Sequence, residues 1–155
     1  MATTSQEKKA IIKIKRVREG VLLPTRGSEL AAGWDLRACL DKDHIKIPKH
    51  KTVLIPVGIS TELPIGMAAL ILARSGLSLK KSLAPINEPG LIDCDYRGEW
   101  HVALHNFGRK KQYISNGERI AQAVFIDAIC PLFSETSKLS TTDRGTGGHG
   151  STGQF

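Results

Sequence analysis

The segment that decides the class of fold is Tyr113-Ile114-Ser115-Asn116-Gly117-Glu118-Arg119-Ile120-Ala121-Gln122-Ala123-Val124-Phe125-Ile126. Two stretches rich in β-branched and aromatic residues flank Asn116-Gly117, and asparagine and glycine both tolerate the positive φ that tight turns require. The pattern predicts a β-hairpin that turns at residues 116 and 117. The chain is therefore expected to be built mainly from strands.

Three other segments also have the pattern of β-strands. Residues 11–17 roughly alternate between apolar and basic side chains, and residues 51–62 are a β-branched run interrupted by Pro56 and Gly58. Residues 100–106 alternate more regularly, with the apolar residues that begin at Trp100 on one face and both histidines on the other.

Helix is expected to be minor, because fifteen glycines and seven prolines interrupt the chain. Residues 75–83 are the helical candidate: Leu79 and Leu83 are spaced i, i+4, while Lys80 and Lys81 would face solvent. Many short strands separated by turn residues predict an all-β sandwich, jelly roll or barrel with at most one short helix.

The length of 155 residues predicts one β domain over residues 11–135, preceded by a polar and basic segment, residues 1–10, and followed by a flexible glycine-rich arm, residues 136–155. The longest apolar run, residues 67–73, is far shorter than the roughly 18 residues of a membrane span. The first ten residues lack the apolar region of a secretory signal. We expect a cytoplasmic protein, with a nuclear location also possible, and no membrane contact.

Charge and cysteine content exclude several other classes. The net charge is +7, and six basic and two acidic residues place much of it in the first twenty positions. A generally basic nucleic-acid surface is therefore not expected. The three cysteines are widely spaced and form no Cys-x-x-Cys pair, so a disulfide framework or zinc ribbon is not expected either. The five histidines form no zinc-binding pattern.

The end of the chain, residues 144–155, is rich in glycine and cannot bury a core of its own. It is either a flexible terminus without a task or an arm that binds anions. In the second case, successive backbone N–H groups would converge on phosphate oxygens and the Arg144 guanidinium would form a bidentate pair with one of them.

Five separated segments resemble, in order, the five motifs of the trimeric dUTP pyrophosphatases, the dUTPase family. They are Ala32–Ala38, Arg74–Ser78, Gly90–Glu99, Gly117–Gln122 and Arg144–Gly153. The third contains Asp93-Cys94-Asp95-Tyr96-Arg97-Gly98, which is specific by itself. The resemblance implies a jelly-roll-like β subunit in a homotrimer. Each active site would lie at an interface and be closed by the C-terminal arm of a third subunit.

The resemblance also implies a reaction, the hydrolysis of dUTP to dUMP and pyrophosphate. Water would attack the α-phosphorus, and Mg²⁺ would be bound to the triphosphate. Asp93 matches the carboxylate that deprotonates this water, and Asp35 matches the acidic residue that orders the hydrated metal indirectly, through water. Asp95 is expected to be structural, paired with an arginine. Such an enzyme keeps uracil out of DNA and supplies dUMP for thymidylate synthesis.

The substrate contacts implied by the resemblance fall into two groups. Tyr96 would pack under the deoxyribose and leave no room for a ribose hydroxyl. Asn87, with the backbone of a β-hairpin that includes Gly90 and Ile92, would read the uracil edge. The phosphates would be bound by the second group: Arg74, Ser75, Gly76, Gln122, Arg144, Gly150 and Ser151.

One position departs from the family pattern. Most members have phenylalanine where this chain has His149, which would stack on the uracil and titrate near pH 6.5. Protonation of His149 is therefore expected to weaken closure of the arm at low pH. Two other interpretations stay open: the related dCTP deaminase branch, and a regulatory or interaction module that kept the fold and lost turnover.

Overall fold

A computed structural model describes residues 10–148, which form twelve β-strands and one short helix. The strands are β1 Lys13–Arg16, β2 Thr25–Arg26, β3 Trp34–Arg37, β4 His44–Ile47, β5 Thr52–Pro56, β6 Ile59–Glu62, β7 Met67–Leu72, β8 Leu83–Pro85, β9 Gly90–Ile92, β10 His101–Asn106, β11 Gln112–Ser115 and β12 Arg119–Asp127. The helix, α1, spans Ser75–Lys81. The prediction of an all-β fold with at most one short helix is confirmed for these residues.

Antiparallel pairing arranges the strands in four sheets. The largest has the order β2-β3-β12-β7-β9, and a second has the order β5-β10-β8. The pairs β1-β6 and β4-β11 complete the set. Strand neighbours are therefore mostly distant in sequence, which is typical of jelly rolls and Greek-key folds rather than simple meanders.

The core is formed by the inward faces of the central strands. Its largest fully buried side chains include Trp100, Leu36, Ile55, Leu104 and Ile120. In β10 the buried and half-buried residues alternate along the whole strand, as its sequence predicts. The prediction for residues 51–62 is also confirmed, because β5 and β6 are separated at Val57-Gly58, and Gly58 has a φ of 78°.

The predicted hairpin at residues 116 and 117 is wrong in its pairing. The turn exists: Gly117 has a φ of 77°, and the Glu118 N–H donates to Ser115 O over 3.1 Å. However, β11 pairs with β4, while β12 pairs with β3 and β7. The Asn116 N–H donates to Asp43 O, and the Gly117 N–H donates to Ala38 O. Residues 38–43 therefore hold the turn, and the chain crosses from one sheet to another at this point.

The predicted helix is shorter than expected and buries a different residue. It ends at Lys81, because Ser82 adopts the left-handed conformation with a φ of 53° and Leu83 begins β8. Leu77 is the buried residue of the helix, whereas Leu79 is 85% exposed. Leu83 does reach the core, but it does so from a strand and not from the helix face.

Beyond β12 the described chain runs from residue 128 to 148 without a helix or strand. Ile129, Leu132 and Phe133 in this segment are each at least 90% exposed. Among the described residues, no helix has the length and apolar character needed to cross a membrane.

Candidate active site

The residues of the first, second and fourth motifs meet in one cleft. Asp35 on β3 lies opposite Gln122 on β12 in the strand register, and the turn into α1 brings the second motif beside them. The cleft has a volume of about 490 Å³. Its lining includes Gly33, Asp35, Arg74, Ser75, Gly76, Arg119 and Gln122.

Asp35 holds two guanidinium groups at this cleft. Its carboxylate accepts hydrogen bonds from Arg74 Nε at 2.7 Å and from Arg119 Nη1 at 3.0 Å, one on each oxygen. The Asp35 side chain is only 10% exposed. Buried charges need such compensation, and charge-assisted hydrogen bonds are the strong ones. Asp35 therefore fixes the orientation of both cations.

Gln122 is held by the backbone next to the second motif. Its Nε2 donates to Ala73 O over 2.9 Å. Gly33 provides the space for this side chain, because a Cβ on Gly33 would lie 2.3 Å from Gln122 Oε1. Gly33 has no positive φ, so glycine is required here by the side chain of Gln122 and not by the backbone.

Ser75 and Gly76 open helix α1, and both are exposed. Arg74 precedes them in an extended conformation, with φ −100° and ψ 125°. Apart from its chain neighbours and the backbone of the helix, no atom of residues 10–148 lies within 4 Å of the position that a Cβ on Gly76 would occupy. A hydroxyl and an uncovered stretch of backbone therefore stand beside the Arg74 guanidinium, a combination suited to phosphate oxygens.

The residues of the third motif form a second pocket, of about 320 Å³. Its lining includes Asn87, Gly90, Ile92, Asp93, Tyr96 and His101. Asp93 follows β9 and begins a tight turn in which the Tyr96 N–H donates to Asp93 O over 3.2 Å. Within residues 10–148 the Asp93 carboxylate has no hydrogen-bond partner, and it is exposed. The expected ion pair between Asp95 and an arginine is not formed among these residues.

The strand that carries Gly90 and Ile92 is paired on one edge. β9 pairs with β7, whereas β8 pairs with β10, so the described residues do not show β9 in a hairpin with a strand next to it in sequence. The Asn87 side chain packs across Gly90, where a Cβ would lie 3.3 Å from Asn87 Nδ2. The outer edge of β9 thus offers backbone groups near the Asn87 amide.

The two pockets share no lining residue on one chain. Arg144 belongs to neither, since its Nε donates to Gly147 O at 3.0 Å in the exposed C-terminal segment. His149, Gly150 and Ser151 lie outside the described residues. The structure thus groups the predicted residues into two separate sets.

Gly33 and Arg119 contribute to the first cleft although they are not among the predicted site residues. Both lie inside the quoted motifs, so their positions were visible. Nothing in the spacing indicated that Arg119 would share a carboxylate with Arg74, or that Gly33 would make room for Gln122.

Comparison with known proteins identifies the family of this chain. A sequence profile of the dUTPase family matches residues 19–153. This chain belongs to the dUTPase family. The deoxyuridine 5'-triphosphate nucleotidohydrolase of Treponema denticola is 46% identical over 138 residues, 89% of this chain and 95% of that protein. The protein of the same name from Brucella melitensis is 42% identical over 154 residues, 98% of this chain and 97% of that protein.

Solved dUTPase structures share the fold of this family member. A variant of the Staphylococcus bacteriophage 80alpha dUTPase, solved with dUpNHpp, superposes with a TM-score of 0.84 at 22% identity, covering 94% of this chain and 99% of that one. A variant dUTPase from phage phi11 of S. aureus, described with a structural Mg(II) ion, has a TM-score of 0.76 at 18% identity. The match covers 85% of this chain and 100% of that one. These similarities establish the jelly-roll-like dUTPase fold.

Proposed function

We propose that this chain hydrolyses dUTP to dUMP and pyrophosphate, with Asp93 as the base that deprotonates the attacking water. The observation that carries the proposal is the exposed Asp93 carboxylate, which lines a pocket beside Tyr96 and has no partner within residues 10–148. Relatives at 42–46% identity that are named as dUTP nucleotidohydrolases support the choice of substrate.

The proposed step balances as a hydrolysis. A carboxylate at neutral pH can accept the proton of a water molecule, whose oxygen then bonds to the α-phosphorus. The bond between that phosphorus and the bridging oxygen breaks, and pyrophosphate leaves. The proton stays on Asp93 until solvent removes it. No group of the protein becomes covalently attached to the nucleotide.

The first cleft is proposed as the phosphate site. Arg74, Ser75, Gly76 and Gln122 supply a cation, a hydroxyl, open backbone and an amide within one cleft. Asp35 aligns Arg74 through the 2.7 Å hydrogen bond, so the guanidinium is oriented before substrate arrives. Such preorganised donors stabilise charge that develops during phosphoryl chemistry.

Mg²⁺ is proposed to arrive with the triphosphate. Among residues 10–148, no group of three or more His, Cys, Asp or Glu side chains could hold a metal ion by itself. The Asp35 carboxylate already binds two guanidinium groups, but its oxygens have further lone pairs. It fits a site in which it accepts hydrogen bonds from metal-bound water. When bound, the ion supplies neutralisation of phosphate charge.

A homotrimer with shared active sites is proposed to bring the two pockets together. Residues 10–148 leave an apolar groove uncovered, lined by residues that include Ile12, Ile14, Trp34 and Phe125. Thr61 and Trp100 also line it, and each has a buried polar atom, Oγ1 and Nε1, without a partner in the described chain. Buried polar atoms are normally satisfied, so a neighbouring subunit over this groove is expected.

Closure of the site by residues 136–155 of a third subunit is part of the same proposal. Arg144 would bind the terminal phosphate, together with Gly150 and Ser151, while His149 would stack on the uracil. The exposure of Arg144 on the single chain is consistent with a role toward another molecule. Removing dUTP in this way would limit uracil in DNA and supply dUMP.

The test is pyrophosphate release with Mg²⁺ from dUTP, dCTP, dTTP and UTP, for wild type, Asp93→Asn and Asp95→Asn. We expect release from dUTP alone, and a fall in kcat of roughly 10²- to 10⁴-fold in Asp93→Asn. Asp95→Asn makes the same charge change two residues away and is expected to retain turnover. If a folded wild-type trimer releases no pyrophosphate, the result would favour a regulatory or interaction module that has lost turnover. Deamination of dCTP would favour the dCTP deaminase branch.

A further inference from the structure

The Tyr96 ring lies against its own turn at a position that requires glycine at residue 98. A Cβ on Gly98 would lie 2.4 Å from Tyr96 Oη and 2.5 Å from Tyr96 Cζ. Gly98 does not have a positive φ, so the backbone by itself would accept alanine. Glycine is therefore needed at residue 98 because the tyrosine ring occupies the space of a side chain.

One hydrogen bond holds the far end of this ring. Tyr96 Oη donates to the backbone carbonyl of Glu99 over 3.0 Å. Tyr96 is 43% exposed, so packing against the rest of the chain covers only part of it. The surface of Gly98 and the carbonyl of Glu99 are thus two contacts that hold the ring in place.

Glu99 is itself fixed by an arginine from a distant part of the chain. Arg18, 81 residues earlier, donates from Nε to Glu99 Oε1 at 2.5 Å and from Nη2 to Oε2 at 3.1 Å. The Gly58 N–H donates to the same Oε1 at 3.1 Å. A bidentate arginine–carboxylate pair fixes geometry as well as adding energy. Arg18 also contacts Asp41 at 3.2 Å, which holds the guanidinium from its other side.

We propose that Gly98, Glu99 and Arg18 are positioning residues for the Tyr96 ring, and that they set the preference of this pocket for deoxyribose over ribose nucleotides. The inference rests on the proposed function, because it assumes that the nucleoside binds beside Tyr96. A ring excludes an added hydroxyl only if it cannot move aside, since rejection by a clash needs a rigid wall. Weakening its supports therefore lets the ribonucleotide bind.

The experiment measures Kd by calorimetry for the α,β-imido analogues of dUTP and UTP, using the full chain. The ratio of interest is the Kd of the UTP analogue divided by the Kd of the dUTP analogue. Gly98→Ala is expected to lower this ratio by about tenfold, and Arg18→Gln and Glu99→Gln are expected to lower it by a smaller factor. The Arg18→Gln/Glu99→Gln double variant should lower this Kd ratio no further than the single variants do, because both substitutions remove the same ion pair.

Two comparisons separate positioning from a general loss of stability. Lys13→Gln removes an ion pair with Glu62, of 2.8 Å, on β1, and is expected to keep the wild-type ratio. Arg18→Lys keeps the charge without the planar fork and should restore the ratio only in part. If Gly98→Ala does not fold, Tyr96→Phe makes the same prediction, because it keeps the ring and removes the hydroxyl.

Kd ratios within about twofold of wild type in both Gly98→Ala and Glu99→Gln would overturn the inference. A wild-type protein without a deoxyribose preference would overturn it as well. The proposed hydrolysis fails separately: a wild type that prefers the dUTP analogue but releases no pyrophosphate refutes turnover, and the Kd ratios of the variants still decide the positioning.

Discussion

Gly33→Ala is expected to impair the proposed phosphate cleft by displacing the side chain of Gln122. The new Cβ would lie 2.3 Å from Gln122 Oε1, whereas ordinary contact begins at 3.4 Å, so the amide must move by at least about 1.1 Å. The hydrogen bond from Gln122 Nε2 to Ala73 O is 2.9 Å long, and a shift of this size away from it would break it. Gln122 would then no longer face the proposed phosphate site.

The loss can be estimated from that one side chain. The broken hydrogen bond contributes about 1 kcal/mol to the free energy of unfolding, so the protein stays folded. A hydrogen bond from an amide to a charged phosphate is worth about 1.5–3 kcal/mol, which corresponds to a fall in kcat/KM of at least roughly tenfold. We expect Gln122→Ala to show the same fall.

The assay is pyrophosphate release from dUTP for Gly33→Ala, Gln122→Ala and the double variant, with urea unfolding run in parallel. Both single variants act on one side chain, so the double variant should lose no more than either. Lys13→Gln is the control, because this side chain pairs with Glu62 and does not line the cleft. Additive losses in the double variant, or an unchanged kcat/KM in Gly33→Ala, would refute the reasoning.

Three further predictions concern polar groups with several partners. Asp35→Asn keeps one acceptor but turns an amide N–H₂ toward one of its two arginines, so we expect a loss of about 2 kcal/mol in urea unfolding and a raised KM for dUTP. Asn106 is fully buried and makes three hydrogen bonds with backbone groups, so Asn106→Ala should cost about 3 kcal/mol in the same assay, with KM unchanged. The hydrogen bonds from Arg18 lower the pKa of Glu99 below its usual 4.5. Their stabilisation is therefore complete above pH 4.5 and lost as the pH falls through the lowered pKa. The difference in unfolding free energy between wild type and Glu99→Gln should accordingly shrink in acid, and a difference that grows there would contradict the assignment.

Local patterns were sufficient to predict the class of fold. Alternation in residues 100–106 predicted the strand and its buried face, because a period of two follows from the pleat itself. Pro56 and Gly58 correctly marked the break between β5 and β6. The motif around Asp93 predicts one site that contains this carboxylate and Tyr96, and both residues line the same pocket.

Tertiary structure alone decided which segments lie together. The turn at residues 116 and 117 was visible in the sequence, but the partners of β11 and β12 depend on chain segments far away, and local propensity contains no information about them. For the same reason Asp35 joins an arginine 39 residues away and another 84 residues away, and Arg18 reaches Glu99 across 81. The short helix buries Leu77 instead of Leu79, because its end and orientation are set by β8 and not by its own spacing. Sequence thus determined the class of fold and most of its strands, while contacts between distant residues determined how the predicted site residues are held.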